Sequence, residues 1–208
     1  MNNPKALLAF ASSLKPLDVV VNKTGNKLTD LNIPGNFGHA AIYLGTETQL
    51  RELGLWDRPE LQPLQEKIKS GFLIMEMTRH GIGYASLEET LEADEVAVLR
   101  VGSITRGEHD LSALYTQALA QRGKSYDFNF DANTTTRITC TEFVAQVLDF
   151  LPWGSDVILG RHAITPDHVG QMVQYPAAEV DLMLYLRGES QGRLNFLDKL
   201  KFLQAVAP

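Results

Sequence analysis

Cysteine is almost absent from this sequence: Cys140 is the single thiol among 208 residues. One cysteine excludes an internal disulfide framework and a zinc site built from several thiolates. The chain also lacks an excess of positive charge. Its formal net charge of −6 at pH 7 argues against a nucleic-acid partner. The remaining question is whether the lone thiol serves chemistry or packing.

Long apolar runs are missing as well. The stretch over residues 6–11 near the amino terminus is far shorter than a bilayer span, so no membrane-spanning segment is expected. It is also a poor secretory signal, because Lys15 and Pro16 follow where small residues would mark a cleavage site. The chain as written is therefore expected to be cytoplasmic, or exported if a leader was trimmed.

Length and composition indicate one domain. The chain is 44% hydrophobic and 21% charged, which is ordinary for a soluble globular protein. Its length allows one sizeable core and falls short of what two independent domains usually need. We expect a single domain over residues 1–208.

Hydrophobic periodicity predicts a mixture of helices and strands. The apolar run over residues 38–45 is closed by glycine and predicts a buried strand with His39 at its start. Ser86 and Glu89 have the spacing of a capping box at a helix start. Further strands are predicted at 17–21, 72–77, around Tyr84, at 96–101 and at 180–186. Helices are predicted at 3–14, 59–70, 111–122, 138–151, from Thr165 onward and at 190–206. This pattern favours an antiparallel sheet.

Cys140 falls in the first turn of the helix predicted over residues 138–151. A cysteine acts as a nucleophile when its pKa is lowered by an imidazole, a helix N-terminus or both. The unpaired N–H groups at that helix start favour a thiolate and can also stabilise an oxyanion. The alternative is a buried cysteine that acts only as a small hydrophobe.

Three other residues are candidates for the same site. His39 could be the base, or a core histidine bonded to backbone. Glu76 alternates with apolar neighbours in its predicted strand and could orient an imidazole, or it could be an ordinary outward-facing glutamate. Tyr126 precedes the cysteine helix, where its hydroxyl could support an oxyanion, or it could be a core tyrosine with one wet end.

Several segments resemble a known family in sequence and in order. They are residues 14–19, GHAAIYLG, IMEMTRHGIGYASLEE, GKSYDFNF, ITCTEFVAQVL and ITPDHV. In this order they resemble the circularly permuted papain-like proteins related to NlpC-type cell-wall peptidases, especially their YiiX-type branch. Leu17 stands where that family often has a glycine before the aspartate, and residues 46–70 form a long insertion.

The resemblance implies an α+β fold in which an antiparallel, barrel-like sheet packs against the nucleophile helix. It implies Cys140 as nucleophile, His39 as base, Glu76 as third polar member and Tyr126 as a supporting residue, with no metal or organic cofactor. The expected reaction is cleavage of an amide in a peptide, cell-wall fragment or other acylated amine, through a thioester.

Two alternatives to amide cleavage stay open. The first is a lipid acyltransferase, phospholipase or thioesterase on the same residues. It would be favoured if Leu53, Leu55 and Trp56 of the insertion line the cleft as an apolar acyl site. The second is a non-catalytic binding module on the same fold. The oligomeric state is not predicted.

Overall fold

A computed structural model of the chain describes residues 3–25, 35–128, 136–158, 160–188 and 194–207. Part of the predicted loop at 22–36 and the start of the predicted helix at 190–206 lie outside these ranges.

A seven-stranded antiparallel sheet forms the centre of the structure, in the order β11-β10-β5-β1-β2-β3-β4. Five of its strands, β1, β2, β3, β5 and β10, contain the β-branched and apolar runs that were predicted to form strands. The main-sheet strands are β1 (Val19–Lys23), β2 (His39–Tyr43), β3 (Ile74–Thr78), β4 (Gly81–Ala85), β5 (Glu95–Val101), β10 (Val180–Gly188) and β11 (Leu194–Phe196). Two further pairs are β6 (Ser125–Tyr126) with β7 (Arg137–Ile138) and β8 (Asp156–Ile158) with β9 (Arg161–Ala163).

Helices cover both faces of the main sheet. On one face, Phe10 of the first helix packs with Val20 and Ala41; on the other, Phe143 packs with Val21 and Ile42. The helices are α1 (Pro4–Ser13), α2 (Glu47–Glu52), α3 (Gln62–Lys69), α4 (Leu87–Thr90), α5 (Gly102–Thr105), α6 (Leu111–Ala120), α7 (Cys140–Val147), α8 (Pro166–Gln171) and α9 (Lys199–Ala205). Short 3-10 turns lie at Pro59–Leu61, Met172–Gln174 and Pro176–Ala178. Strand residues that alternate between two apolar clusters make this sheet a middle layer.

The α+β prediction is confirmed, but the predicted barrel-like closure is not. In the described ranges the sheet is open, with β11 and β4 as its outer strands. Alternating apolar residues specify two buried faces without specifying whether the outer strands meet. Here helices cover both faces, whereas a barrel would bury its inner face against itself.

The predicted closing helix over residues 190–206 is wrong in its first half. Leu194–Phe196 pairs with β10 as strand β11, and the helix begins only after Asp198, whose side chain caps α9. Over so short a run, the apolar residues of this segment fit the period of a helix and the period of a strand equally well. The capping box of Ser86 and Glu89 is confirmed at the start of α4.

Leu17, at the position where a glycine was expected from the resemblance, adopts a backbone conformation that favours glycine. Leu17 has a φ of 68° and its side chain is buried. The next residue, Asp18, makes a bidentate ion pair with Arg100, at 2.9 Å to Nε and 2.6 Å to Nη2. The left-handed backbone at Leu17 therefore comes just before the chain enters β1. The buried Asp18 carboxylate fixes the position of this entry through Arg100.

Candidate active site

His39 and Glu76 lie on neighbouring strands and contact each other directly. Ala41 of β2 is the register partner of Glu76 of β3, so His39, two residues earlier, is a diagonal neighbour of Glu76 on the same sheet face. His39 Nε2 lies 2.5 Å from Glu76 Oε2, and about a fifth of each side chain is exposed, 21% and 22%. The strand register thus gives the imidazole a carboxylate partner.

Cys140 is the first residue of α7, as predicted, and a capping box fixes this helix start. Thr139 Oγ1 accepts from the Glu142 backbone N–H at 3.2 Å, and the Glu142 carboxylate accepts from the Thr139 N–H at 2.8 Å. Thr141 Oγ1 donates to the Ile164 carbonyl at 2.5 Å. Both side chains that flank the thiol are therefore anchored, which holds the sulfur in place.

The Cys140 thiol and the His39 imidazole are hydrogen-bonded neighbours. Burial opposes charge on Cys140, but the His39 charge and a hydrogen bond from it lower the pKa of the thiol below its usual range. Burial likewise lowers the pKa of His39, and the Cys140 thiolate and the Glu76 carboxylate outweigh it and raise that pKa. Opposite charges at hydrogen-bond distance favour the ionised form of both groups. The contact between Cys140 and His39 therefore favours a thiolate on one side and an imidazolium on the other.

Two backbone N–H groups complete the surroundings of the sulfur. The amides of Ala40 and Thr141 hydrogen bond to Cys140 and lower its pKa further. The helix-start pattern around Cys140 could have indicated Thr141, because amides of a first helical turn have no partner within the helix. Ala40 could not have been found, because it comes from a strand that lies 100 residues earlier in the chain.

Comparison with known proteins identifies the family of this chain. A family model described as permuted papain-like amidase enzyme, YaeF/YiiX, C92 family, matches residues 13–193. The chain belongs to this family. No match was found among curated proteins or solved structures. The resemblance inferred from the sequence is thereby confirmed, and it extends past residue 170 to include β10 of this permuted papain-like amidase.

Tyr126 of this permuted papain-like amidase lies beside the ion pair. It pairs in a parallel ladder with Ile138, two residues before Cys140. Burial raises the pKa of its hydroxyl, and the neighbouring Cys140 and Glu142 charges raise it further. Its hydroxyl therefore keeps its proton and can donate a hydrogen bond near the sulfur.

A contact from α8 positions the segment that leads to His39. Asp167 accepts from the backbone N–H of Asn36 at 2.7 Å and from that of Phe37 at 2.9 Å. The sequence indicated the helix start at Thr165 but not this contact, which joins residues 130 positions apart. A buried carboxylate with two N–H donors fixes the backbone just before the β2 strand begins.

Two of the other histidines have side-chain contacts of their own. His109 stacks on Phe150, and His168 caps the start of α8 with Thr165. Within the described ranges, no group of three or more His, Cys, Asp or Glu residues could hold a metal ion. No helix in that part of the chain is long and apolar enough to cross a bilayer.

The insertion between β2 and β3 packs into the core. It contains α2, the turn Pro59–Leu61 and α3. Leu55 and Trp56 are 5% and 3% exposed and belong to the larger apolar cluster, whereas Leu53 is 49% exposed. An apolar acyl site in this insertion would be favoured if these residues lined the cleft. Leu55 and Trp56 do not meet this condition, because they pack in the core.

Proposed function

We propose that this chain is a thiol-dependent amidase in which Cys140 is the nucleophile, His39 the acid and base, and Glu76 the residue that orients His39. The observation that carries this proposal is the hydrogen-bonded contact between Cys140 and His39 at the start of α7, which favours an ion pair between them. A thiolate beside an imidazolium is the reactive form of a cysteine nucleophile.

The first half of the reaction forms a thioester. The Cys140 thiolate attacks the amide carbonyl carbon, a C–S bond forms, and the carbonyl π electrons move to oxygen. Backbone N–H groups at the start of α7 and the Tyr126 hydroxyl are suited to stabilise that oxyanion. His39 donates its Nδ1 proton to the amine nitrogen, because its Nε2 is engaged with Glu76. The C–N bond then breaks and the amine leaves.

The second half regenerates the enzyme. Neutral His39 takes a proton from water while the water oxygen attacks the thioester carbonyl. The C–S bond breaks, the acid product leaves, and the thiolate and imidazolium are restored. Glu76 stabilises each imidazolium state without itself becoming protonated, which is the usual role of the third member of such a site.

The first test is the rate at which iodoacetamide alkylates Cys140, measured by intact mass between pH 5 and pH 9. A thiol with a pKa of about 8.5 is only about 0.3% ionised at pH 6, so an ion-paired thiolate should react about a hundredfold faster there. His39→Ala should remove most of this advantage. His162→Ala is the matched control, because His162 is exposed and lies on β9, outside the site.

Turnover provides the second test. Cys140→Ser should abolish hydrolysis of any amide substrate found by screening while leaving the circular dichroism spectrum unchanged. Hydrolysis that survives in Cys140→Ser would refute the proposal. Slow alkylation that is independent of His39 and appears only on unfolding would identify Cys140 as a packing residue.

A further inference from the structure

A cavity of about 450 Å³ adjoins Tyr126 at the β4 edge of the main sheet. One wall comes from the β3–β4 turn, with Arg79 and Ile82. The other comes from the segment between α6 and β6, with Arg122 and Lys124. Tyr126 lines this cleft and pairs with Ile138, two residues before Cys140, so the cleft lies close to the start of the cysteine helix.

The charge of the cleft is opposite to that of the chain. Arg79, Arg122 and Lys124 line it together with His80, and no carboxylate is among the described residues that line it, although the chain carries a net charge of −6. Three cations around one cavity repel one another unless an anion lies between them.

The hydrogen bonds of these cations go to uncharged acceptors. Arg79 Nε donates to the His80 ring at 3.0 Å, and Lys124 Nζ donates to the Gln146 side-chain oxygen at 2.7 Å. Arg122 Nε reaches only a backbone carbonyl, at 3.4 Å. In the part of the chain that the structure describes, none of the three forms an ion pair. The Glu142 carboxylate acts on Lys124 at longer range, so the charge of the two arginines is the part that is available to a ligand.

We propose that this cleft holds an anionic group of the substrate, a carboxylate or a phosphate, while the amide to be cleaved lies at Cys140. The assignment rests on the proposed amidase function and narrows its substrate class. The two guanidinium groups can donate to anionic oxygens in a bidentate manner. Ile82 and Tyr126 supply an apolar wall for the part of the substrate between the anion and the amide.

Two alkylating reagents that differ in charge test this proposal directly. Iodoacetate carries a carboxylate and iodoacetamide is neutral, and both react with the same sulfur. The ratio of their rate constants at Cys140 should exceed the ratio for N-acetylcysteine amide, and the excess should shrink as ionic strength rises. Arg79→Gln combined with Arg122→Gln should lower the ratio several-fold, because two positive charges that attract the carboxylate of iodoacetate are lost.

The matched control removes two charges at the other edge of the sheet. Lys199 and Lys201 are exposed residues of α9, which packs against β10. Lys199→Gln combined with Lys201→Gln alters the net charge equally and should leave the ratio unchanged. An equal fall in both double variants would overturn the proposal, because it would reflect net charge alone.

Added anions identify the group that the cleft prefers. Phosphate or acetate should slow iodoacetate alkylation in a saturable way, compared with chloride at equal ionic strength, and the Arg79/Arg122 variant should lose this protection. Stronger protection by phosphate points to a phosphate group on the substrate, and stronger protection by acetate to a carboxylate. If neither anion protects beyond chloride, the cleft is not an anion site and the proposal is wrong.

These outcomes separate this inference from the proposed function. A cysteine that reacts slowly with both reagents at pH 6 contradicts the amidase proposal itself. A cysteine that reacts rapidly with both reagents, at a ratio that the arginine variants do not change, contradicts only the anion site.

Discussion

Replacement of Glu76 by glutamine tests how the imidazolium of His39 is stabilised. Glutamine keeps the size of the side chain and an oxygen that can accept from His39 Nε2, but it removes the negative charge 2.5 Å from that nitrogen. Because the pKa of His39 is raised partly by Glu76, the variant should lose its imidazolium at a lower pH than the wild type.

The magnitude follows from the kind of bond that is changed. A hydrogen bond to a charged group contributes about 1.5–3 kcal/mol, against about 1 kcal/mol for a neutral one. The two contributions differ by about 0.5–2 kcal/mol. Because only about a fifth of each side chain is exposed, we take the upper half of this range, about 1.4 kcal/mol, which equals one pH unit. We therefore expect His39 to titrate about one pH unit lower in Glu76→Gln.

The sign for stability follows from the same shift. A histidine whose folded pKa is raised stabilises the fold most fully below its unfolded pKa of about 6.5, and this stabilisation is lost as pH rises through the folded value. In Glu76→Gln the loss should still begin near the unfolded pKa, but it should be complete at a lower pH and be smaller in total. Urea unfolding at pH 6 and pH 9 should therefore show a smaller difference between the two pH values in the variant than in the wild type.

The assay is a histidine NMR titration, with the His39 signal assigned by its absence in His39→Ala. In the wild type this signal should titrate well above 6.5, and in Cys140→Ala it should move down because the thiolate also raises the pKa of His39. A wild-type His39 that titrates near 6.5, or one whose titration Glu76→Gln leaves unchanged, would refute the assignment of an ion pair supported by Glu76.

Two further predictions concern the backbone near the site. Leu17→Gly should be more stable than Leu17→Ala by about 0.5–1 kcal/mol in urea unfolding, because the φ of 68° costs any non-glycine residue about 1–2 kcal/mol; the reverse order would show that this conformation is not strained. Asp167→Ala should destabilise the chain by about 2–4 kcal/mol, because it leaves the N–H groups of Asn36 and Phe37 without their charged acceptor. A loss below 1 kcal/mol would show that solvent replaces the carboxylate.

Features that depend on neighbouring residues could be predicted from the sequence. The strand that begins at His39 was indicated by an apolar run closed by glycine, and the cysteine helix by its apolar spacing. The helix starts at Thr165 and Ser86 were indicated by capping residues. These patterns act over four to eight residues, so one sequence contains all the information they need.

Features that depend on distant contacts could not be predicted in the same way. Sheet closure, the Asp167 contact and the donor at Ala40 each join segments that are far apart in the chain. The cation cleft also went unnoticed, since Arg79 and Arg122 are 43 positions apart (122 − 79). The contact between His39 and Glu76 was expected only because a neighbouring strand was assumed, and it needed the register of β2 and β3 to become definite.

Cys140 and its partners His39 and Glu76 belong to segments that are synthesised at different times. His39 and Glu76 lie on adjacent antiparallel strands, whereas Cys140 arrives on a helix 64 residues after Glu76 (140 − 76). Until α7 docks on β2, the sulfur has neither the imidazolium nor the Ala40 amide, so it is an ordinary thiol and little reactive at acidic pH. The nascent or misfolded chain thus carries a largely inert cysteine, and rapid labelling at pH 6 reports on molecules that have completed their fold.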